Sequence, residues 1–270
     1  MTRRICLILI AAVLGACQPA AAGPASVPSR AASAVATRPA TPTAVPSTLT
    51  PIPPAQSNAP TPTIAPTPEP PPAAAFALNL HEEGDFVPQH TFEWCVGASI
   101  QMAHNLVRND HRGSYEDQEQ MWELARSHSS NSFNGANPRG WAMALEEIGL
   151  GPYELVSVPD YNDALRTAAA AIRETERPVG LVMWRGRHAW VMSGFESFGD
   201  PAIHSDFDVT GIRVLDPLYP HGSGVWGPSP PPNALLTPDE LATQFVVRES
   251  RRWSSELGTG YLLVVPTSAS

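Results

Sequence analysis

"FVPQHTFEWCVGAS" (residues 86–99) places a cysteine directly before a segment with the apolar spacing of a helix. Apolar residues recur at helical intervals through residues 96–108, so Cys95 is predicted to lie at or just before a helix N-terminus. The other two cysteines, Cys6 and Cys17, belong to the first 17 residues. An unpaired cysteine in this position is either a small core residue or a nucleophile.

Three more helices are predicted downstream of Cys95. Ser114 begins a capping-box pattern, Asn137 precedes a proline, and Asp160 precedes an alanine-rich segment, which are typical starts of helices. The predicted helices cover residues 115–127, 138–149 and 161–176.

The second half of the chain has the pattern of strands. Short runs of Val, Leu, Ile and aromatic residues are bounded by Gly, Pro and Asp, with a short helix at 238–245 before the last run. The predicted strands are residues 178–184, 188–195, 211–215 and 260–265. A helical N-terminal half packed on an antiparallel sheet is an α+β fold.

Two of these strands bring a histidine close to a carboxylate. If residues 188–195 and 211–216 form a hairpin centred near residue 202, His188 and Asp216 lie opposite one another. Side chains opposite each other on one face have Cβ atoms roughly 5 Å apart, which allows a hydrogen bond.

These residues supply the parts of a cysteine nucleophile's active site. A thiol attacks carbonyl carbon as thiolate, which a helix N-terminus and a neighbouring imidazolium favour; for Cys95 the imidazolium is His188. Asp216 would orient that imidazole, as the third member of a triad does. Gln89 could donate its side-chain amide to the oxyanion, with the backbone N–H of Cys95 as second donor.

At the same residues the sequence resembles the papain-like cysteine peptidases, and most closely the bacterial peptidases that remove double-glycine leader peptides from bacteriocins. The likeness lies in "VPQHTFEWCVGAS" (87–99), "GRHAWVMSGF" (186–195) and "IRVLDP" (212–217). It implies a papain-like fold and the order Gln, Cys, His, Asp for the site. The chain departs from the family's frequent Cys-Gly-Pro-Ala-Ser, because Val96 and Gly97 follow Cys95.

Each candidate residue also has a structural interpretation. Cys95 and His188 could be core residues, Asp216 could begin a turn before Pro217, and Gln89 could be a loop residue. The tryptophans at 94, 184 and 190 are expected to fill the core or line its edge.

The N-terminus has the features of an export signal. Arg3 and Arg4 precede an apolar run at residues 5–14 that is shorter than the roughly 20 residues of a membrane-spanning helix. The following "LGAC" (14–17) resembles the lipobox of bacterial lipoproteins, which implies a signal peptide at 1–16 and acylation of Cys17. The alternative is an ordinary signal peptide. Two acyl chains would anchor the chain to a bacterial cell membrane on its extracytoplasmic side.

Residues 17–75 have the composition of a tether. The stretch 18–75 holds 16 of the 30 prolines, among Ala, Thr and Ser, and its charged residues are Arg30, Arg38 and Glu69. Such a composition buries no core and favours extended backbone, although a structured recognition segment is an alternative.

The remaining residues, 76–270, form one domain of ordinary size with an acidic balance. They carry 25 Asp and Glu against 13 Arg. This charge argues against nucleic-acid binding, which requires a basic face. No His-Glu-x-x-His or Cys-x-x-Cys pattern is present, so we expect no metal and no cofactor.

The sequence thus predicts a surface-anchored cysteine peptidase that acts on a peptide or protein substrate and contacts the membrane through its lipid. Two alternatives stay open. A thioester resolved by an amine would make the chain an amidase or acyltransferase of the same fold, and a chain without turnover would be a binding module.

Overall fold

The structure is a computed structural model that describes residues 71–130, 134–250 and 256–268. The predicted signal peptide, Cys17 and tether residues 18–70 lie outside the described residues. The first strand begins at Ala75, one residue before the predicted start of the domain.

The helices begin close to the predicted positions because local caps define their starts. The side chains of Ser114, Asn137, Asp160 and Thr237 each accept a hydrogen bond from a backbone N–H of the helix they precede. The helices are α1 (Cys95–Arg108), α2 (Tyr115–Ser127), α3 (Pro138–Leu145), α4 (Tyr161–Thr175) and α5 (Pro238–Ala242). A π-helical turn, Glu146–Leu150, extends α3.

Within the described ranges, seven strands form one antiparallel sheet. The strands are β1 (Ala75–Asn79), β2 (Tyr153–Val158), β3 (Val179–Met183), β4 (His188–Phe198), β5 (Asp208–Leu215), β8 (Ala234–Leu236) and β9 (Tyr261–Pro266). Their order is β2-β9-β3-β4-β5-β8, and β1 pairs with the C-terminal half of β4. The short strands β6 (Gly222–Ser223) and β7 (Gly227–Pro228) form a separate hairpin.

The sheet separates two hydrophobic cores. Ala189 and Val191 of β4 pack with α1 and α3, whereas Trp190 and Met192 pack with α4. Alternate residues of a strand point to opposite faces, so helices cover both faces of the sheet. The α+β class is confirmed, but the prediction of a helical half followed by a sheet half is too simple. The strands β1 and β2 come from the first half, and α4 lies on the face opposite α1.

A glycine allows α3 to approach the sheet closely. A Cβ atom on Gly180 of β3 would lie 2.5 Å from Cη2 of Trp141, which is itself buried in α3. The indole ring therefore occupies the space that a side chain at position 180 would need. This contact fixes the distance between α3 and the middle of the sheet.

The predicted register of β4 and β5 is wrong by two residues. Val191 pairs with Leu215 and Met192 with Val214, so a continuation of the ladder would place Asp216 opposite Trp190 rather than His188. The loop between the strands is centred on residue 203 and not on 202, and the two ladder irregularities cancel each other. His188 and Asp216 are consequently diagonal neighbours.

Candidate active site

Helix α1 presents Cys95 as its first residue. Trp94, the N-cap residue, makes no side-chain capping hydrogen bond, and the first turn contains no acidic side chain. The N–H groups of a first helical turn have no partners within the helix and carry a partial positive charge. Cys95 is half-buried and forms no disulfide, so its sulfur lies in a position that favours an anion.

The imidazole of His188 connects Cys95 to Asp216. Its Nε2 atom lies 2.7 Å from Oδ1 of Asp216, which confirms the predicted hydrogen bond between the two side chains. The Cys95 thiol lines the same cleft as the ring and is close enough to raise the pKa of His188 through hydrogen bonding and charge. Since Nε2 faces the carboxylate, Nδ1 is the ring nitrogen left for the sulfur.

The surroundings of His188 favour the protonated form of its imidazole. Burial by itself lowers the pKa of this group, but the hydrogen bonds to Asp216 and Cys95, together with their charges, outweigh burial and raise the pKa of His188 from 6.5 to about 9. At neutral pH the ring is therefore an imidazolium with an N–H for each neighbour.

Asp216 is completely buried directly after the end of β5. Its Oδ1 atom accepts hydrogen bonds from Nε2 of His188 and, at 2.9 Å, from the backbone N–H of Leu218. The second oxygen, Oδ2, is buried and has no hydrogen-bond partner among the described residues. A buried carboxylate with few donors depends on the cation beside it for compensation.

A tryptophan that was expected to fill the core or line its edge covers the imidazole. The rings of Trp184 and His188 stack with centroids 4.1 Å apart and planes at 22°. The indole N–H of Trp184 donates to Oε1 of Gln244 at 2.9 Å, which fixes the ring. An indole face attracts a cation and excludes water, so Trp184 stabilises the imidazolium. No sequence pattern indicated this role, because the stack depends on a left-handed backbone at Trp184.

The structure holds Gln89 near the site but directs its amide away from the cleft. Its backbone N–H donates to the carbonyl of Pro217 at 2.8 Å, next to Asp216. Its side-chain Nε2 donates to the carbonyls of Thr91 at 2.9 Å and Phe92 at 3.2 Å, which uses both amide hydrogens. Donation to an oxyanion would require Gln89 to exchange one of these acceptors, so this role stays a prediction.

A buried glutamine of α2, which the sequence analysis missed, positions the segment around Gln89. Oε1 of Gln118 accepts from the backbone N–H of His90 at 2.7 Å, and its Nε2 donates to the carbonyl of Pro88 at 3.1 Å. These two bonds hold the residues on either side of Gln89. Gln118 lies within an unbroken run of polar residues, 116–120, so the sequence gave no signal that this side chain is fully buried.

Cys95 and His188 open into a cleft of about 400 Å³. Phe92 lies at its rim with its side chain largely exposed, and Trp141 forms part of its wall. Gln89 is not among the described residues that line the cleft. The volume accommodates a few residues of an extended peptide next to the sulfur.

No protein family, curated protein or solved structure matches this chain. Within the described ranges, no helix combines the length and the apolar character needed to cross a membrane.

Proposed function

We propose that the chain is a cysteine peptidase of papain-like fold that hydrolyses peptide bonds. The observation that carries the proposal is the series Cys95, His188, Asp216, in which one imidazole bonds a buried carboxylate and shares a cleft with a thiol that raises its pKa. The order of the elements supports it, because the thiol begins a helix, His188 begins β4, and Asp216 directly follows the neighbouring strand β5.

The arrangement suits nucleophilic acyl transfer. The Cys95 thiolate attacks the carbonyl carbon, and the new C–S bond pushes charge onto the carbonyl oxygen, next to the N-terminal N–H groups of α1. The tetrahedral intermediate collapses as the C–N bond breaks, and His188 gives the Nδ1 proton to the departing amine. A water then attacks the thioester, His188 takes up its proton, and the thiolate leaves.

The raised pKa of His188 determines the pH range over which this cycle can run. An imidazolium is needed at the start to pair with the thiolate and to protonate the amine, and His188 keeps its proton up to a pH of about 9. Asp216 acts through the imidazole, since its Oδ1 bonds Nε2 and leaves Nδ1 directed at the sulfur. We further propose that acylated Cys17 and the following proline-rich segment hold this domain at the outer surface of a bacterial membrane.

The first test measures the reactivity of Cys95 against pH. The full chain is treated with iodoacetamide from pH 5 to 10, and the label on Cys95 is quantified by mass spectrometry of its peptide, so that Cys6 and Cys17 do not interfere. We expect rapid labelling near pH 6, and slow labelling there for His188→Gln. A rate that rises only near pH 8.5, as for a free cysteine, would contradict the proposal.

The second test measures hydrolysis. The chain is incubated with a mixture of peptides of diverse sequence, and new termini are identified by mass spectrometry. Cleavage should vanish in Cys95→Ala while its melting temperature stays within a few degrees of wild type, because removing one half-buried sulfur leaves little cavity. Equal cleavage by wild type and Cys95→Ala would exclude the peptidase.

A further inference from the structure

The cleft beside Cys95 has a charge opposite to that of the domain around it. Residues 76–270 carry 25 acidic side chains against 13 arginines. The described residues that line the cleft include three arginines, Arg185, Arg187 and Arg248, and one carboxylate, Glu93. Charges of one sign in a cleft focus the field on a ligand of the other sign.

Two of these arginines have charges that the described residues do not neutralise. Arg185 and Arg187 are exposed, and neither forms an ion pair with an Asp or Glu of the described ranges. Other arginines of the domain do so, as Arg173 with Asp200 at 2.8 Å. The contact recorded for Arg185 is with the ring of Trp226, 6.0 Å from its guanidinium carbon. Their N–H groups therefore remain for a ligand.

The backbone holds these side chains next to the imidazole. Trp184, Arg185 and Gly186 have φ angles of 57°, 59° and 88°, in the left-handed region. The carbonyl of Met183 accepts from the N–H groups of Gly186 at 2.9 Å and Arg187 at 3.0 Å, which closes the turn. Bulky residues rarely adopt this conformation, and such strain is typical of functional sites.

The side chain of Arg248 packs against this turn at Gly186. A Cβ atom on Gly186 would lie 3.1 Å from Cδ of Arg248, so the absence of a side chain at 186 lets this arginine pack under the turn. Its Nη1 donates to the carbonyls of Leu257 at 2.9 Å and Gly258 at 2.6 Å. Arg248 therefore helps to hold the turn that carries the two exposed arginines.

We propose that this cleft selects peptides that carry a carboxylate beside the scissile bond, bound by Arg185 and Arg187. A guanidinium offers paired N–H donors that match the two oxygens of a carboxylate. The term scissile bond rests on the proposed function, whereas the anion site itself does not. Since Arg187 immediately precedes His188, the bound carboxylate lies within one or two residues of the attacked carbonyl. It belongs either to an Asp or Glu side chain or to the C-terminus of the peptide.

The first test uses two alkylating reagents of similar size, of which one is anionic and the other neutral. The rates of Cys95 labelling by anionic iodoacetate and neutral iodoacetamide are measured, and their ratio cancels changes in the thiol itself. We expect the ratio to fall about 5- to 10-fold in the double variant Arg185→Gln, Arg187→Gln at low salt, because two nearby positive charges are lost. Arg166→Gln, on α4, is the matched control and should keep the wild-type ratio. An unchanged ratio in the double variant would overturn the proposal.

The second test identifies the source of the carboxylate. Cys95→Ala is titrated with labelled peptide pairs that differ by Glu against Gln at one position, each with a free or amidated C-terminus. Tighter binding of Glu peptides identifies a side-chain carboxylate, and tighter binding of free C-termini identifies a terminal one. Either preference should disappear in the Arg185→Gln, Arg187→Gln background. Equal binding of all four peptides would overturn the proposal.

The two proposals fail in different ways. If the wild-type chain cleaves peptides without preferring a carboxylate, the peptidase proposal is supported and the anion-site proposal is overturned. If the chain binds carboxylate peptides through the arginines and cleaves none, the anion-site proposal is supported and the peptidase proposal is overturned.

Discussion

His188 and Asp216 are joined by a hydrogen bond of 2.7 Å although they are not opposite each other in the sheet. Asp216 lies directly after the last residue of β5, and His188 is the first residue of β4, two positions from the residue that the ladder would place opposite Asp216. Diagonal neighbours on one face are within reach of long or aromatic side chains. The Leu218 N–H, bonded to the same carboxylate oxygen, directs that oxygen to the imidazole.

We expect Asp216→Asn to slow peptide hydrolysis about 10-fold, well short of the roughly 10⁴-fold loss that a wrong imidazole tautomer causes. An asparagine Oδ1 can still accept from Nε2 of His188, so the orientation of the ring is kept while the charge is lost. The alkaline limit of activity should move to lower pH, because the charge of Asp216 helps to raise the pKa of His188. The measurement is kcat/KM against pH.

Asp216→Ala should be far more damaging than Asp216→Asn. It removes the acceptor and leaves the buried Nε2–H of His188 without a partner, which costs about 1–3 kcal/mol of stability. If the Asn and Ala variants both hydrolyse peptides as fast as wild type, the carboxylate does not act through the imidazole and is only a turn residue.

The free energy of unfolding should depend on pH through the titration of His188. The pKa of this group is raised in the folded chain to about 9 from 6.5, so its stabilising effect is fully present below pH 6.5 and is lost as the pH rises through about 9. The free energy of unfolding, measured by urea denaturation, should fall over this interval.

In His188→Gln that decline should largely disappear. His221→Gln, a change at an exposed histidine, is the control and should retain the wild-type slope. A His188→Gln chain with the same slope as wild type would show that the proton is held elsewhere.

Gly180→Ala should destabilise the domain by about 1–3 kcal/mol, the usual effect of overpacking a core. The new Cβ atom would meet Trp141, whose ring is buried and cannot move aside. Gly224→Ala is the matched control, since no atom outside its own chain neighbours lies within 4 Å of a Cβ placed there. Thermal denaturation of both variants decides the point: equal melting temperatures would contradict the packing described for α3.

The parts of the fold that depend on local sequence were predictable. Helices α2 and α4 begin at their predicted caps, Ser114 and Asp160, because a cap needs only the residues that follow it. The strand β2 was missed because it is defined by pairing with β9, about 100 residues further along the chain. The partner of a strand depends on contacts that are distant in sequence, so local composition does not identify it.

The candidate site likewise has features that the local sequence predicts and features that it does not. The position of Cys95 at a helix start follows from apolar spacing, and the contact of His188 with Asp216 was predicted despite a wrong register, because diagonal neighbours can still meet. The stacking of Trp184 was not predictable, since its left-handed backbone occurs without a glycine at that position. The acceptors of the Gln89 amide depend on the path of residues 89–92, which spacing does not reveal.

Cys17→Ser should prevent anchoring, because acyl chains on that cysteine would supply the membrane affinity. We expect the variant either as unprocessed precursor or in the medium, as shown by membrane fractionation and by the mass of its N-terminal peptide. Cys6→Ser, a change within the proposed signal peptide, is the control and should remain membrane-bound. A Cys17→Ser chain that is processed and still sediments with membranes would contradict the lipid anchor.

Gln89→Ala separates two roles of one amide. If Gln89 exchanges an acceptor to donate to the oxyanion, kcat should fall about 10²-fold with a small change in KM, since the bond forms only in the transition state. The affinity of a peptide aldehyde, whose adduct with Cys95 carries a similar oxygen, should fall in parallel. The bonds to the carbonyls of Thr91 and Phe92 are lost as well, so stability should drop by about 1 kcal/mol. A stability loss without a change in kcat or aldehyde affinity would limit Gln89 to holding its own loop.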